Sequence, residues 1–207
     1  MSDPVFSRSA RFERTTRETS VRLGLGLDGL ASPGQRRIAV PDGFFGHMLD
    51  ALATHAGWNL DLEAEGDTHV DLHHTVEDVG IALGSSLAEA LGERRGIQRF
   101  GHAYAPLDEA LARAVVDLSG RGFFVFDAPE PLAQSWVTTA FPFTLVADFF
   151  QALADRGRLT LHLAVLAGRN PHHVAEAAFK AAALALAAAC RRKAGEEVAS
   201  TKGSLTA

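Results

Sequence analysis

The chain has 207 residues, of which 47% are hydrophobic and 22% charged, which is the composition of a globular protein with a sizeable core. The net charge of -5 argues against nucleic acid or an anionic membrane surface as a partner, because both require a broad basic face. Cys190 is the single cysteine, so an intrachain disulfide is excluded. With no apolar signal-peptide region and no evident membrane span, we expect a cytoplasmic protein.

The first half of the chain begins with a strand pattern. Val and Leu recur at every second residue across 21–27, and a short strand follows at 37–40. The apolar residues in 42–52 follow helical spacing, and Gly57 ends this helix. Alternating apolar and polar residues across 58–63 predict the next strand. These strands and the helix precede a motif of two histidines and a glutamate that begins at His73.

A helix is predicted from Asp71 to about Gly92, and it opens with the sequence His-His-x-x-Glu. Asp71 is a preferred N-cap residue, and Gly80 and Gly84 within the helix permit close approach to a neighbouring helix. At 3.6 residues per turn, the two His and the Glu lie at roughly 0°, 100° and 40° around the axis. We therefore expect His73, His74 and Glu77 to share one face as metal-type ligands.

The same motif recurs 99 residues later as His172, His173 and Glu176, after Asn170 as N-cap and Pro171 at the first helical position. A single His-His pair is usually a solvated or satisfied pair, but two copies with Glu at the same spacing favour a metal site.

The elements before the second motif repeat those of the first half: strands near 104, at 110–118 and at 123–126, a helix at 141–155 and a strand at 159–165. Ala51-Leu52-Ala53 recurs as Ala152-Leu153-Ala154, an offset of 101. The sequence therefore predicts an internal duplication, with one α+β half at 1–95 and another at 96–207, packed around one core.

His47 lies on the helix before the first motif, and the offset of 101 places Asp148 at the equivalent position. Each half would thus supply a fourth ligand. Imidazole and carboxylate ligands without thiolate suit Mn, Fe, Zn or Ni and argue against a structural zinc site of the Cys type.

Basic residues in two loops indicate phosphate binding. Arg121 lies in a Ser-Gly-Arg-Gly turn, and Ser200, Thr201 and Lys202 form a hydroxyl-rich tail. Together with Arg99 they offer the donors that cradle a phosphate. Loop cations are more often simply solvated, so this pattern alone is weak.

These motifs resemble the imidazoleglycerol-phosphate dehydratase family over nearly the whole chain. The resemblance is carried by Gly43-Phe44-Phe45-Gly46-His47-Met48-Leu49-Asp50, the stretches 71–84, 96–101 and 170–181, and Ser200-Thr201-Lys202-Gly203. It implies an α+β fold of duplicated halves, each a small sheet packed on two helices, of the ribosomal protein S5 domain 2-like type. It also implies a homo-oligomer of 24 subunits built from trimers, with active sites between subunits.

The resemblance implies a hydro-lyase of histidine biosynthesis that dehydrates imidazoleglycerol phosphate, a small phosphorylated imidazole, to imidazole-acetol phosphate. The reaction removes a C–H proton and a hydroxyl with no carbonyl beside that carbon, which explains a need for metals acting on the imidazole ring. Two Mn²⁺ per active site are implied.

The resemblance also assigns roles to residues. The metal ligands are His47, His73, His74, Glu77, Asp148, His172, His173 and Glu176, with Asp148 included by the internal repeat. The catalytic candidates are Glu18, which is expected to transfer a proton, Glu77 and Glu176. The resemblance gives Arg99, Arg121, Ser200 and Lys202 as phosphate binders, and Lys180 and Thr201 are further substrate-binding candidates.

The chain departs from the family pattern at Asp148, where the family normally has His, at Gly46, where it has Asp, and in the segment 135–147. These departures keep two alternatives open. One is a divergent dinuclear metalloenzyme that hydrolyses phosphate esters, and the other is a metal-stabilised shell without catalysis.

Overall fold

The computed structural model describes residues 8–28, 36–195, 197–201, 203 and 205. The elements of the first half are β1 Ser9–Thr15, β2 Thr19–Gly26, β3 Arg37–Ala39, α1 Gly43–Ala56, β4 Asn59–Gly66 and α2 His73–Leu91. Those of the second half are β5 Phe100–Leu107, β6 Ala110–Asp117, β7 Phe123–Asp127, α3 Glu130–Ala133, α4 Thr144–Gly157, β8 Thr160–Ala167 and α5 Pro171–Cys190. The short helix α3 was not indicated by the sequence, whereas the other helices and strands follow the predicted order.

The two halves share one sheet topology. Their strand orders are β1-β2-β4-β3 and β5-β6-β8-β7. In each sheet the first three strands in this order pair antiparallel, and the last strand pairs parallel with its neighbour. The bounds of α4 and β8 lie 101 residues after those of α1 and β4. The predicted duplication and the α+β class are therefore confirmed, while the division between residues 95 and 96 stays a prediction.

Burial follows the alternation read from the sequence. Val21, Leu23 and Leu25 of β2 are at most 3% exposed, and the residues between them face the other side of the sheet. Leu60 and Leu62 of β4 continue the same inner face. The buried residues of both halves form one continuous hydrophobic core, so the halves make a single packed unit.

Each helix of one half packs against a helix of the other half: α1 lies on α5, and α2 lies on α4. The α2–α4 contact depends on the two predicted glycines. A Cβ on Gly80 would lie 2.7 Å from the carbonyl oxygen of Phe149, and a Cβ on Gly84 would lie 2.5 Å from that of Leu153. The prediction of close helix approach is confirmed, and the crossed pairing brings residues of opposite halves together.

Helix α5 corrects one expectation. It has 20 residues and a mean hydropathy of 1.4, so by length and composition it could cross a membrane, contrary to the sequence-based expectation. However, 67% of this apolar stretch is buried inside the fold. The high alanine content allows close packing on β5 and β6, which is the behaviour of a core helix.

Arg94, in the segment that joins the halves, is a buried cation with 3% exposure. Its guanidinium donates to the carbonyl oxygens of Arg158 at 2.7 Å and Gly157 at 2.8 Å, where α4 ends. Burial lowers the pKa of Arg94, and the nearby charge of Arg158 adds to this effect. A cation at this position also interacts favourably with the negative end of the helix dipole.

Replacing Arg94 is expected to destabilise the fold. Arg94→Ala should lower the free energy of unfolding by about 2–4 kcal/mol, because two buried carbonyl oxygens lose their charged donor. Arg95→Ala is the matched control: Arg95 pairs with Glu93 at 2.6 Å on the exposed surface, and its loss should cost less than about 1 kcal/mol. Urea unfolding measures both, and equal losses would contradict the capping role of Arg94.

Candidate active site

The second motif forms a cluster with a residue of the first half. His47 on α1 and His172 on α5 each place Nε2 3.5 Å from Oε2 of Glu176. One donor atom from each of the three residues lies within 4.8 Å of the others. The two imidazoles remain about half exposed, whereas the Glu176 side chain is only 13% exposed. This donor set of two nitrogens and one oxygen fits a divalent transition metal.

Lys180, predicted to bind substrate, lies against this cluster. Its Nζ is 2.6 Å from Oε1 of Glu176, one helical turn earlier on α5. Burial by itself raises the pKa of Glu176, but the hydrogen bond and charge of Lys180, together with His47, outweigh it and lower the pKa. Glu176 is therefore held in its ionised form, which is the form that binds metal, while its catalytic role stays a prediction.

The first motif meets the residue that the repeat places opposite it. Nδ1 of His73 lies 3.2 Å from Oδ2 of Asp148, across the contact between α2 and α4. Glu77 follows one turn later on α2 and is exposed. This arrangement is quasi-equivalent to that around His47, with a carboxylate on α4 in place of the imidazole on α1. The structure thus brings Asp148 to the predicted position, and its role as ligand stays a prediction.

The two histidines of each motif contact different neighbours, and a ligand face shared by all three residues of a motif stays a prediction. The ring planes of His73 and His74 are 69° apart, and those of His172 and His173 are 88° apart. Consecutive residues of a helix differ by about 100° around its axis, so the second His of each pair faces a different neighbour.

The partners of these second histidines are carboxylates that the sequence did not single out. Nδ1 of His74 lies 3.1 Å from Oδ2 of Asp67, and Nδ1 of His173 lies 2.7 Å from Oε2 of Glu109. These hydrogen bonds raise the pKa of each histidine and lower the pKa of Glu109 to about 2. Both carboxylates lie in connections between elements, where Asp and Glu resemble ordinary turn residues.

The predicted N-caps are confirmed in the second half and shifted in the first. Asn170 caps α5 and accepts a hydrogen bond from the His172 N–H at 3.0 Å. In the first half α2 begins at His73, so Leu72, not Asp71, occupies the cap position. Asp71 still accepts from the His73 N–H at 2.8 Å, which gives both motifs the same local start.

Glu18 lies in the tight turn between β1 and β2, which is fixed from several sides. The hydroxyl of Thr16 accepts hydrogen bonds from the N–H groups of Glu18 and Thr19, at 3.1 and 3.0 Å. The N–H of Asp67 donates to the Glu18 carbonyl oxygen at 3.0 Å. The hydroxyl of Thr19 donates to buried Asp78 of α2, which ties the hairpin to the helix that carries His73 and Glu77. The Glu18 side chain is exposed at the end of this anchored turn.

The predicted phosphate-binding residues that the structure describes gather around Arg99. This residue has a φ of 70°, pairs with Asp117 at 2.7 Å and donates to the Ala199 carbonyl oxygen at 2.5 Å. The tail therefore lies beside Arg99, with Ser200 and Thr201 following directly. Lys202 lies outside the described residues.

The turn of Arg121 lies next to the same tail. Gly120 has a φ of 82°, and any side chain there would overlap the carbonyl oxygen of Leu205. Arg121 is exposed beside this contact, and the hydroxyl of Ser119 accepts from its N–H at 3.3 Å. The loop and the tail thus form one surface in the second half.

The phosphate-type and metal-type residues of one chain are far apart. The N–H of Arg99 donates to the carbonyl oxygen of Ala189 at 3.0 Å, near the end of α5, whereas His172 lies in its first turn. At 1.5 Å per residue, these ends of the helix are roughly 25 Å apart.

The segment 135–147 and Gly46 both adjoin the metal-type cluster. Phe141 is fully buried and contacts Phe44 with ring centroids 5.0 Å apart, and Phe44 contacts His172 at 5.1 Å. A Cβ at Gly46 would lie 3.2 Å from the Val40 side chain. The atypical segment therefore supports the imidazole of His172, and a side chain at position 46 would require the Val40 side chain to shift by a few tenths of an ångström.

Comparison with known proteins identifies the family of this chain. Residues 41–186 match the family model described as imidazoleglycerol-phosphate dehydratase. The imidazoleglycerol-phosphate dehydratase of Acidiphilium cryptum is 54% identical over 203 residues, which cover 96% of this chain and 100% of the relative. The crystal structure of the Staphylococcus aureus enzyme is similar to this chain with a TM-score of 0.78 and 36% sequence identity, and the match covers 89% of this chain and 99% of that one. The crystal structure of the Pyrococcus furiosus enzyme has a TM-score of 0.77 and 35% sequence identity, and the match covers 93% of this chain and 99% of that one. The chain therefore belongs to the imidazoleglycerol-phosphate dehydratase family, the hydro-lyases that act in histidine biosynthesis.

Proposed function

We propose that dehydration of imidazoleglycerol phosphate by this chain depends on two Mn²⁺ per active site and takes place in the cytoplasm. The observation that carries the proposal is the convergence of His47, His172 and Glu176 from opposite halves, with donor atoms within 4.8 Å. Because these ligands come from both halves of the chain, a metal bound by them would link the two halves. When bound, the metals supply Lewis-acid activation of the imidazole ring and hold the reacting hydroxyl groups.

The duplication supports two metals rather than one. His47, His172 and Glu176 would hold the first, and His73, Glu77 and Asp148 would hold the second. The second group contains two carboxylates and one imidazole, so it is the harder donor set of the two and favours Mn²⁺ over softer metals. His74 and His173 complete the ligand set from a neighbouring subunit in this proposal, since each faces away from the cluster of its own motif.

Subunit assembly is part of the proposal because the substrate is too short to reach both the metal-type and the phosphate-type residues of one chain. Roughly 25 Å separates the metal-type residues at the start of α5 from Arg99 at its end. A glycerol chain of three carbons, at about 1.5 Å per bond, cannot bridge this distance between its imidazole and its phosphate. The active site would therefore combine two or more chains, in keeping with a 24-subunit homo-oligomer built from trimers.

The remaining groups would bind substrate and move protons. Arg99 and Arg121 with the tail residues would hold the phosphate and fix the orientation of the reacting carbons. The candidate phosphate ligands of the tail are Ser200, Thr201 and Lys202, and Lys180 is a further candidate for contact with substrate. Glu18 would carry the proton between the substrate carbon and solvent, for which its exposed position on an anchored turn is suited.

The test is turnover measured during Mn²⁺ titration of chelator-stripped protein, with oligomer size followed in parallel. We expect product to appear as Mn²⁺ is added, with about two Mn²⁺ bound per chain, and the particle to loosen when metal is removed. Release of inorganic phosphate without dehydration would select the hydrolase alternative. Metal-dependent assembly without any product would select the non-catalytic shell.

A further inference from the structure

The turns that carry Glu18 and Glu109 are equivalent positions of the duplicated fold. Thr16 and Thr19 close the first turn by a backbone hydrogen bond, and Leu107 pairs with Ala110 to close the second. Both turns thus contain two residues, and in both the second is Glu. Strand register gives the same alignment. Val21, three residues after Glu18, pairs with Ala64 of β4, and Ala112, three residues after Glu109, pairs with Val165 of β8. Ala64 and Val165 are equivalent under the offset of 101.

These two carboxylates have different surroundings. Glu109 uses Oε2 to bind Nδ1 of His173 at 2.7 Å, and its Oε1 accepts from the N–H of Asn170 at 2.9 Å. Within the described part of the chain, no hydrogen bond engages the carboxylate of Glu18. The equivalent histidine, His74, is bound instead by Asp67, at 3.1 Å.

Backbone geometry explains why the second half uses the turn residue. The offset of 101 that relates β4 to β8 places Gly168 at the position of Asp67. Gly168 has a φ of 136°, and a Cβ there would lie 2.4 Å from a methyl group of Val174 and 3.1 Å from the Cβ of Ala110. No side chain fits at this position, so a carboxylate for His173 must come from another element.

We propose that Glu109 is a positioning residue that orients His173 toward a metal, and that Asp67 does the same for His74 and thereby leaves Glu18 available for proton transfer. The inference rests on the proposed function. A carboxylate that accepts from Nδ1–H fixes the imidazole tautomer, so that Nε2 presents its lone pair outward and becomes more basic. Asp67 also donates its N–H to the Glu18 carbonyl oxygen at 3.0 Å, so one residue both binds His74 and sets the turn.

The experiment compares Glu109→Gln and Asp67→Asn with the Glu18→Gln variant in the full oligomer. Mn²⁺ affinity is measured by the electron paramagnetic resonance signal of free Mn²⁺, and turnover is measured at each Mn²⁺ concentration. We expect the first two variants to bind part of their Mn²⁺ about 10–100-fold more weakly and to recover turnover at saturating Mn²⁺. Glu18→Gln should keep the wild-type isotherm and lack turnover at every concentration.

Glu13→Gln, in an exposed pair with Arg22 on the outer sheet face, is the charge-matched control and should change neither measurement. Thermal melting of the metal-free variants separates positioning from folding, because a merely structural role would lower the melting temperature. Wild-type Mn²⁺ affinity in Glu109→Gln, or turnover that saturating Mn²⁺ does not recover, would overturn the inference while leaving the proposed function intact. If the wild-type protein itself binds no Mn²⁺, the proposed function fails first.

Discussion

Glu18→Gln is expected to lower the rate of product formation by about 10²–10⁴-fold, the usual contribution of a positioned proton-transfer group. The amide retains the size and hydrogen-bonding capacity of the side chain but cannot exchange a proton. The turn itself should be unchanged, since Thr16 and Asp67 bind its backbone and not the Glu18 carboxylate. The loss should therefore appear in kcat at saturating substrate.

A second variant and two further measurements distinguish proton transfer from a structural role of Glu18. Glu18→Asp keeps the acid but withdraws it by one methylene, so its rate should fall between those of the wild type and Glu18→Gln. Metal content and oligomer size should match the wild type in both variants. A Glu18→Gln protein that keeps most of its turnover would remove Glu18 from the reaction, and a protein that loses Mn²⁺ would identify Glu18 as a structural or metal-binding residue instead.

The fold could be predicted from the sequence because two independent signals agreed. Period-two alternation in β2 and β4 indicated strands with one buried face, and that face is buried. The repeat at an offset of 101 then predicted the second half from the first, including a helix and a strand in register. Helix α3 escaped prediction because four residues are too few to show a period.

The site was predictable as a set of residue types but not as a set of contacts. Helical spacing gives the angle of a side chain around its own axis, but it does not say which helix lies opposite. That α1 meets α5 and α2 meets α4 depends on tertiary packing, and this packing decides that His47 joins His172 while Asp148 joins His73.

Glu109 shows where a single repeat offset fails to predict an equivalent residue. The dipeptides Arg17-Glu18 and Asp108-Glu109 occupy equivalent hairpin turns, at an offset of 91 rather than 99 or 101. The shift arises because the connection between β6 and α4, residues 118–143, is longer than that between β2 and α1, residues 27–42. A single offset therefore could not align both the turns and the helices. Only the strand register of the structure establishes the equivalence.

The double variant Gly80→Ala, Gly84→Ala is expected to lower the free energy of unfolding by about 2–4 kcal/mol. Each new methyl group would press on backbone atoms of α4, at 2.7 Å from Phe149 O and 2.5 Å from Leu153 O, and backbone cannot rotate away as a side chain can. Alanine is the better helix former by about 1 kcal/mol per site, and overpacking must exceed this gain. For a protein of this size the loss corresponds to a decrease in melting temperature of roughly 5–15 °C.

Gly43→Ala is the matched control, because Gly43 is also a helical glycine and a Cβ there meets no atom within 4 Å. It should leave stability unchanged or raise it by up to about 1 kcal/mol through the reduced entropy of the unfolded chain. Melting curves of metal-free protein measure both effects. Equal stability of the two variants would show that α2 can move away from α4 without cost.

The same double variant links packing to the site, since the α2–α4 contact sets the separation of His73 from Asp148, now 3.2 Å. Helices forced apart by even a fraction of an ångström would weaken the second metal position more than the first, because His47, His172 and Glu176 are carried by α1 and α5. Mn²⁺ binding should then split into one class of sites with wild-type affinity and one that is weaker. Uniform weakening of both classes would mean that the two positions are coupled through the assembly rather than built on separate helix pairs.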